Sequence, residues 1–312
     1  MLKFYKTNVA HQRVETLKGP ATDCWIDLIS PTEEELNTVV KQTGIDRDLI
    51  FKMFNDEDEL PRIETSEHAT LVVIDVPIVD EDHEYLTNPI GIIFSRRRQI
   101  ITISPKAATI LNDFRKNRVK DFYTSKKSRF LIQILNRAAV EYQHVLNKVY
   151  RELEAKEDVL QKSTKNEDLV DLLSTEKTLV YFMSSLKEND RVLERLNKGT
   201  VLPLYEGDFD LLEDAIIEYR QAIEMTSIYR EILSSLTDTY AAIINNNLNN
   251  IMKFLAGVTI VISIPTLISS FLGMNVPFTH LGNDPNAAFM IFIASVVLSV
   301  AIAFILKKKD LL

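Results

Sequence analysis

Residues 254–272 read FLAGVTIVISIPTLISSFL and residues 287–306 read AAFMIFIASVVLSVAIAFIL, two runs of 19 and 20 residues without a charged side chain. Each is long enough, at about 1.5 Å per helical residue, to cross the roughly 30 Å of a bilayer's hydrocarbon. Between Phe254 and Leu306 the only formal charge is Asp284, and the intervening 273–286 is too rich in Gly, Pro and Asn to continue a helix. The chain is therefore an integral membrane protein that crosses twice near its C-terminus. Lys253 precedes the first run and Lys307, Lys308 and Lys309 follow the second, whereas 273–286 holds no Lys or Arg. The positive-inside rule then places both termini in the cytoplasm.

Working outward, residues 1–253 carry nearly all the charge. Lys plus Arg number 36 against 44 Asp plus Glu, a net charge of -8. That balance excludes a nucleic-acid binder, which needs a concentrated basic face. Arg96, Arg97 and Arg98 lie between two apolar runs and read as a solvated turn. Cys24, the single cysteine, cannot form an intrachain disulfide and reads as a small buried side chain beside Trp25 and Ile26. Met1 to Thr16 is polar and contains no cleavable signal core. No Gly-rich phosphate loop, nucleophile elbow or metalloprotease helix motif is present, so neither a nucleotide nor an enzymatic reaction is expected.

Phe4 to Thr16 and Asp23 to Leu28 have the mixed apolar character of edge strands. Ser30, Pro31 and Glu33 predict a helix start with Ser30 as N-cap and a helix ending near Gly44. A second short helix is predicted over 46–54, leading into the acidic run 56–59 that Pro61 terminates. The β-branched runs 70–79, 90–94 and 99–104 predict a mainly antiparallel sheet. After about residue 123 the period changes to three and four, predicting helices over 130–162 and 166–197 with a polar loop between them. From Asp208 no proline or glycine occurs before Gly257, so one helix is predicted to run from there into the membrane, on the order of 100 Å to Leu272.

These readings divide the chain into an α/β domain (1–123), a helical region packed on a stalk (124–203), the stalk helix (204–253), a first transmembrane helix (254–272), an extracytoplasmic loop (273–286), a second transmembrane helix (287–306) and a basic tail (307–312). The first transmembrane run carries Thr259, Ser263, Pro265, Thr266, Ser269 and Ser270, whereas the second is almost uniformly aliphatic. The first therefore faces protein or a wet pore and the second faces lipid. No ionisable side chain lies within either run, which leaves a proton relay without its usual groups. Two helices cannot enclose a conduit, so a homo-oligomer is expected. Asp238, Asn245 and Asn249, spaced by seven and four, share a helical face that Met252 and Leu255 extend towards the bilayer.

Gly273-Met274-Asn275 stands where the first run leaves the membrane. With Tyr229-Arg230-Glu231, the Asn-rich 245–250, Lys253 and the terminal lysines, it resembles the CorA family of magnesium transporters. Leu179 to Phe182, Ser185 to Lys187, and Trp25 to Leu28 before Pro31 extend the resemblance over nearly the whole chain. The resemblance implies a funnel-shaped homopentamer with an α/β N-terminal domain, a stalk helix continuing into the pore and a peripheral second helix. It implies Asn275 as the outer ring meeting the hydrated ion. Thr266, Ser263, Leu255 and Asn249 would line successive levels, with Asp238 at the cytoplasmic mouth. It further implies a regulatory Mg²⁺ on Asp214 between neighbouring subunits, with Asp75 as a candidate partner. Two departures stand out: the loop after the motif lacks the family's glutamate and holds Asp284 and His280, and Ser263 replaces a bulky methionine, which makes Leu255 the candidate gate.

The reading that follows is channel-like uptake of hydrated Mg²⁺, with Co²⁺ or Ni²⁺ tolerated, driven by membrane potential and gated by cytoplasmic Mg²⁺. An exporter of Zn²⁺ or another transition metal on the same fold is a second reading. A membrane-anchored structural or sensing oligomer is a third.

Overall fold

The computed structural model describes residues 1–55, 60–80, 84–160, 166–274 and 286–309. The acidic run 56–59, most of the 162–166 loop, and 275–285 with Asn275, His280 and Asp284 lie outside the described residues. The chain divides into two compact units, Met1–Ser235 and Leu236–Leu312, and the division falls inside its longest helix.

In the first unit, β1 (Leu2–Asn8), β2 (Arg13–Leu17), β3 (Trp25–Ile29), β4 (Arg62–Thr65), β5 (Ala69–Val79), β6 (Tyr85–Ser95) and β7 (Ile100–Ser104) form one sheet in the order β2-β1-β3-β7-β6-β5-β4. Every neighbouring pair is antiparallel except β3 with β7. The run 4–16, read as a single strand, is a hairpin instead, turning between Asn8 and Arg13 with Gln12 at φ 49°. The segment 23–28, expected at an edge, is an interior strand. Its residues Trp25 to Leu28 are buried on both faces, as a strand flanked on each side requires.

Helices α1 (Glu33–Thr43) and α2 (Arg47–Asn55) pack Leu36, Val39, Leu49 and Ile50 against Ile26, Leu28, Leu71 and Ile103 of the sheet. Each such side chain removed from water contributes about 1.5–3 kcal/mol. The N-cap of α1 is Thr32 rather than Ser30. Thr32 Oγ1 accepts from the Glu35 amide, and the Glu35 carboxylate accepts from the Thr32 amide. A capping box needs its acid three residues after the cap, and Glu35 meets that spacing from Thr32. Ser30, at φ 42°, gives its hydroxyl proton to the Pro105 carbonyl instead. Gly44 ends the helix at φ 71°, a conformation that suits glycine.

On the other side of β3, Trp25 packs edge-on against Phe114 of α3 (Thr109–Arg115), Phe122, and Phe130 of α4 (Lys127–Leu160). Its indole N–H donates to Thr102 Oγ1 at 2.8 Å, Thr102 donates to Asp27 at 2.8 Å, and Arg115 donates to the other Asp27 oxygen at 2.7 Å. This chain of bonds satisfies a carboxylate that is 1 % exposed. Helices α4 and α5 (Asn166–Asn197) match the predicted helical regions, and Cys24 is fully buried as expected. The turn at Arg96 to Arg98 is solvent-exposed, with Arg98 paired to Asp23 at 2.8 Å.

Candidate functional site

Helix α6 runs unbroken from Glu206 to Leu272, as the absence of interior glycine and proline up to Gly257 predicted. Its membrane part, and α7 (Ala287–Lys308), are long and apolar enough to cross a bilayer, and almost none of either is buried within the chain. Leu255 is 57 % exposed, and Asp238, Asn249, Ser263 and Thr266 are exposed as well. At about 100° per residue, all five fall within an arc of roughly 120° on one side of α6. Asn245, Met252, Thr259, Ser270 and Gly273 fall in the same arc. Within the apolar run 254–272 the arc holds Thr259, Ser263, Thr266 and Ser270, every hydroxyl side chain of that run except Ser269. Thr259 and Ser270 were noted in the sequence only as hydroxyl residues; counting helical angle from Asp238 adds them to this face.

The hydroxyls on the arc are oriented by the backbone. Thr259 Oγ1 donates to the Leu255 carbonyl at 2.8 Å, Ser263 to the Thr259 carbonyl at 2.7 Å and Thr266 to the Ile262 carbonyl at 3.1 Å. Each proton is committed to the preceding turn, so what each hydroxyl turns outward is its lone pairs. Acceptor-only oxygens suit a partner rich in donors, such as the water shell of a cation. Pro265 interrupts the backbone ladder and frees the Val261 carbonyl, which by the same helical count lies away from the polar arc.

At the end of α6, the Gly273 amide donates to the Ser269 carbonyl at 3.0 Å and the Met274 amide to Phe271 at 3.4 Å. A Cβ at Gly273 would sit 3.3 Å from the Ser269 carbonyl oxygen, so glycine eases the exit from the helix. Gly273 and Met274 are exposed. Asn275 lies outside the described residues. On α7, Ser295 and Ser299 are buried, their hydroxyls bonded to the Phe292 and Ser295 carbonyls, whereas Phe289, Phe292, Val297, Val300 and Phe304 are exposed.

The acidic start of α6 separates into two kinds of residue. Asp208 is buried and takes Arg129 Nε at 3.1 Å and the Tyr205 amide at 3.3 Å, so it is a structural ion pair. Asp210, Glu213 and Asp214 are exposed. Asp75 is of the buried kind. It is 6 % exposed on β5, with the Ser185 hydroxyl of α5 donating to its carboxylate at 2.6 Å. Burial pushes its pKa up to about 6, partly opposed by that hydrogen bond. A carboxyl so enclosed within its own chain and bonded to Ser185 contrasts with the exposed Asp214. Among the described residues of one chain, no three His, Cys, Asp or Glu side chains gather as a metal site.

A family model described as "CorA-like Mg2+ transporter protein" matches residues 21–308. The chain is 30 % identical over 295 residues to the cobalt/magnesium transport protein CorA of Methanocaldococcus jannaschii, covering 91 % of this chain and 90 % of that protein. The complete structure of the CorA magnesium transporter from the same organism superposes with a TM-score of 0.83 at 27 % identity, over 98 % of this chain and 96 % of the other. The full-length CmaX protein shares the fold, with a TM-score of 0.70 at 14 % identity over 98 % of this chain and 97 % of that one. A family match running from just before β3 through the long helix and both apolar helices leaves one assignment: the chain belongs to the CorA family of divalent-cation transporters.

Proposed function

We propose that the chain assembles as a homopentamer in the cell membrane and carries hydrated Mg²⁺ inward through a pore lined by the polar arc of α6. The observation that supports this reading is the arc itself, exposed in the single chain and continuous along a helix too apolar to be left in water. Five copies placed with these arcs inward would surround one axis, leaving the apolar sides and α7 to lipid. Asn275 forms the outer ring, Thr266, Ser263 and Asn249 line the path, Leu255 is the constriction, and Asp238 faces the cytoplasmic mouth.

Mg²⁺ holds its octahedral water shell tightly. Neutral oxygens that accept from those waters can pass the ion without stripping it, and weak successive sites let it leave. A divalent ion moving inward down about 100 mV gains roughly 4.6 kcal/mol, so no nucleotide is needed. Cytoplasmic Mg²⁺ closes the pathway by bridging carboxylates near the start of α6, with Asp214 as the ligand and Asp210 and Glu213 beside it. Co²⁺ and Ni²⁺, close to Mg²⁺ in size and octahedral preference, follow the same path.

The test is Mg²⁺ influx into proteoliposomes holding the purified chain, with Co²⁺, Ni²⁺ and Zn²⁺ in parallel. Influx that grows with an inside-negative potential is the expected result. Zn²⁺ movement without Mg²⁺ movement would favour the exporter reading, and no flux of any ion would favour a structural or sensing oligomer. Detergent-corrected light scattering giving one subunit per particle would overturn the assembly.

A further inference from the structure

The pathway just proposed makes no use of the polar side chains gathered at Asp75. Ser185 of α5 donates to the Asp75 carboxyl, and Asn189, one turn further along α5, bonds to the Asp75 backbone. Asn189 Nδ2 also donates to the Tyr219 hydroxyl of α6 at 3.3 Å. Tyr142 of α4 is fully buried, with its hydroxyl beside the same carboxyl and the Ser185 hydroxyl. Four elements, β5, α4, α5 and α6, thus meet around Asp75, with α6 joined to it through Asn189.

The surroundings of this group hold no compensating charge. On β6, Pro89 lies opposite Asp75 and carries no titratable group. Helix α4 presents Tyr142, α5 presents Ser185 and Asn189, and α6 presents Tyr219, all neutral. Asp190, the next residue on α5, acts on Tyr219 and is itself set by burial, Glu194 and Arg220. Among the described residues no cationic side chain stabilises the ionised form of Asp75.

We infer that Asp75 is a proton-binding site that links cytoplasmic acidity to the attachment of α6, the helix that continues into the membrane, and through it to the ion flux proposed above. When ionised, the carboxylate can only accept hydrogen bonds, and its enclosure opposes the charge. When protonated, it still accepts from Ser185 and gains an O–H to offer the Tyr142 hydroxyl. An arrangement in which α6 has moved and water reaches Asp75 would return it to the ordinary carboxylate range. Protons therefore bind more tightly to the enclosed arrangement, and acidification favours the state in which α6 stays joined to β5 through Tyr219 and Asn189.

The sign follows from the raised pKa. Because the folded chain holds this proton up to about 6 and the unfolded chain only to the usual 3.8, the associated stability is fully present below the lower value. It is lost as pH rises through the upper one.

The experiment titrates the cytoplasmic face of the reconstituted full chain from pH about 7.5 to about 5 at fixed Mg²⁺ and voltage, reading Mg²⁺ flux. The parent should change severalfold with a midpoint near 6. Asp75→Asn keeps an acceptor for Ser185 but cannot ionise, so its flux should equal the parent's acid-limit value at every pH. Ser185→Ala removes the donor that favours the ionised form, so its midpoint should move towards neutrality. A flat parent profile, an unchanged response in Asp75→Asn, or an unmoved midpoint in Ser185→Ala would each overturn the inference. Thermal unfolding in detergent supplies a readout independent of flux: the parent's unfolding temperature should fall relative to that of Asp75→Asn as pH rises through about 6, and parallel curves would overturn the site. A chain that carries no Mg²⁺ at any pH would overturn the uptake reading, leaving unfolding to decide on the proton site. Should Asp75→Asn not fold, the Ser185→Ala unfolding profile decides, with its pH midpoint expected above that of the parent.

Discussion

The side chain of Asn189 on α5 holds both backbone groups of Asp75 on β5: its Oδ1 accepts from the Asp75 amide at 3.0 Å and its Nδ2 donates to the Asp75 carbonyl at 2.8 Å. Strand β4 pairs with β5 only as far as Arg62 opposite Val73, and Pro61, which has no N–H, precedes it. Two residues further along β5, a side-chain amide does what a strand would have done. Replacing Asn189 by Leu leaves two buried backbone groups unbonded, each worth about 1–3 kcal/mol. The expected result is a loss of roughly 2–6 kcal/mol, read as a lowered unfolding midpoint of the full chain in detergent.

Asp208 and Asp214 lie on the same turns of α6 but should behave differently. Asp208→Asn leaves the partly buried Arg129 without its counter-charge, and should destabilise the chain by about 3 kcal/mol. Asp214→Asn alters an exposed side chain and should leave the unfolding midpoint in place, while Mg²⁺ applied to the cytoplasmic face inhibits currents less effectively. Superimposable inhibition curves for Asp214→Asn and the parent would remove Asp214 from the brake.

Asn275→Ala should abolish Mg²⁺ uptake at low external Mg²⁺ and leave the oligomer intact. In the sequence Asn275 follows Met274 just past the apolar run 254–272, so under the proposed reading its amide supplies acceptors to the entering ion. Flux and light scattering on the same preparation check both halves; wild-type uptake in the variant would rule out the entrance role.

Leu255 is an apolar side chain at the start of the apolar run, on an arc that carries Asn245, Asn249, Thr259 and Ser263 to either side of it, and it is exposed in the single chain. Leu255→Asn should wet the constriction and give a severalfold larger residual current at inhibitory cytoplasmic Mg²⁺. A residual current equal to the parent's would move the gate elsewhere.

Trp25→Ala removes the hub of the Phe114, Phe122 and Phe130 cluster and strands the Thr102 and Asp27 bonds beneath it. A cost of about 3–5 kcal/mol is expected in the same unfolding assay.

The apolar runs, the unbroken course of α6 and the place of Gly273 and Met274 at its end were legible in the amino-acid sequence alone. Each depends on properties counted along one chain: the length of an uncharged run, the spacing of lysines, the absence of Gly and Pro from 208 to 256. Helices α4 and α5 were legible for the same reason, since periodicity is local. Tertiary structure alone decided what depends on partners distant in sequence. It made 25–29 an interior strand by pairing it with β1 and β7, added the short β4 and α3, and moved the cap of α1 to Thr32, where the geometry of Glu35 closes the box. It separated Asp208, neutralised by Arg129 from 79 residues away, from the exposed Asp214. It also set Asp75 among Ser185, Asn189, Tyr142 and Tyr219. No spacing along the chain announces that junction, because burial of a carboxyl and the identity of its donors exist only once β5, α4, α5 and α6 have packed together.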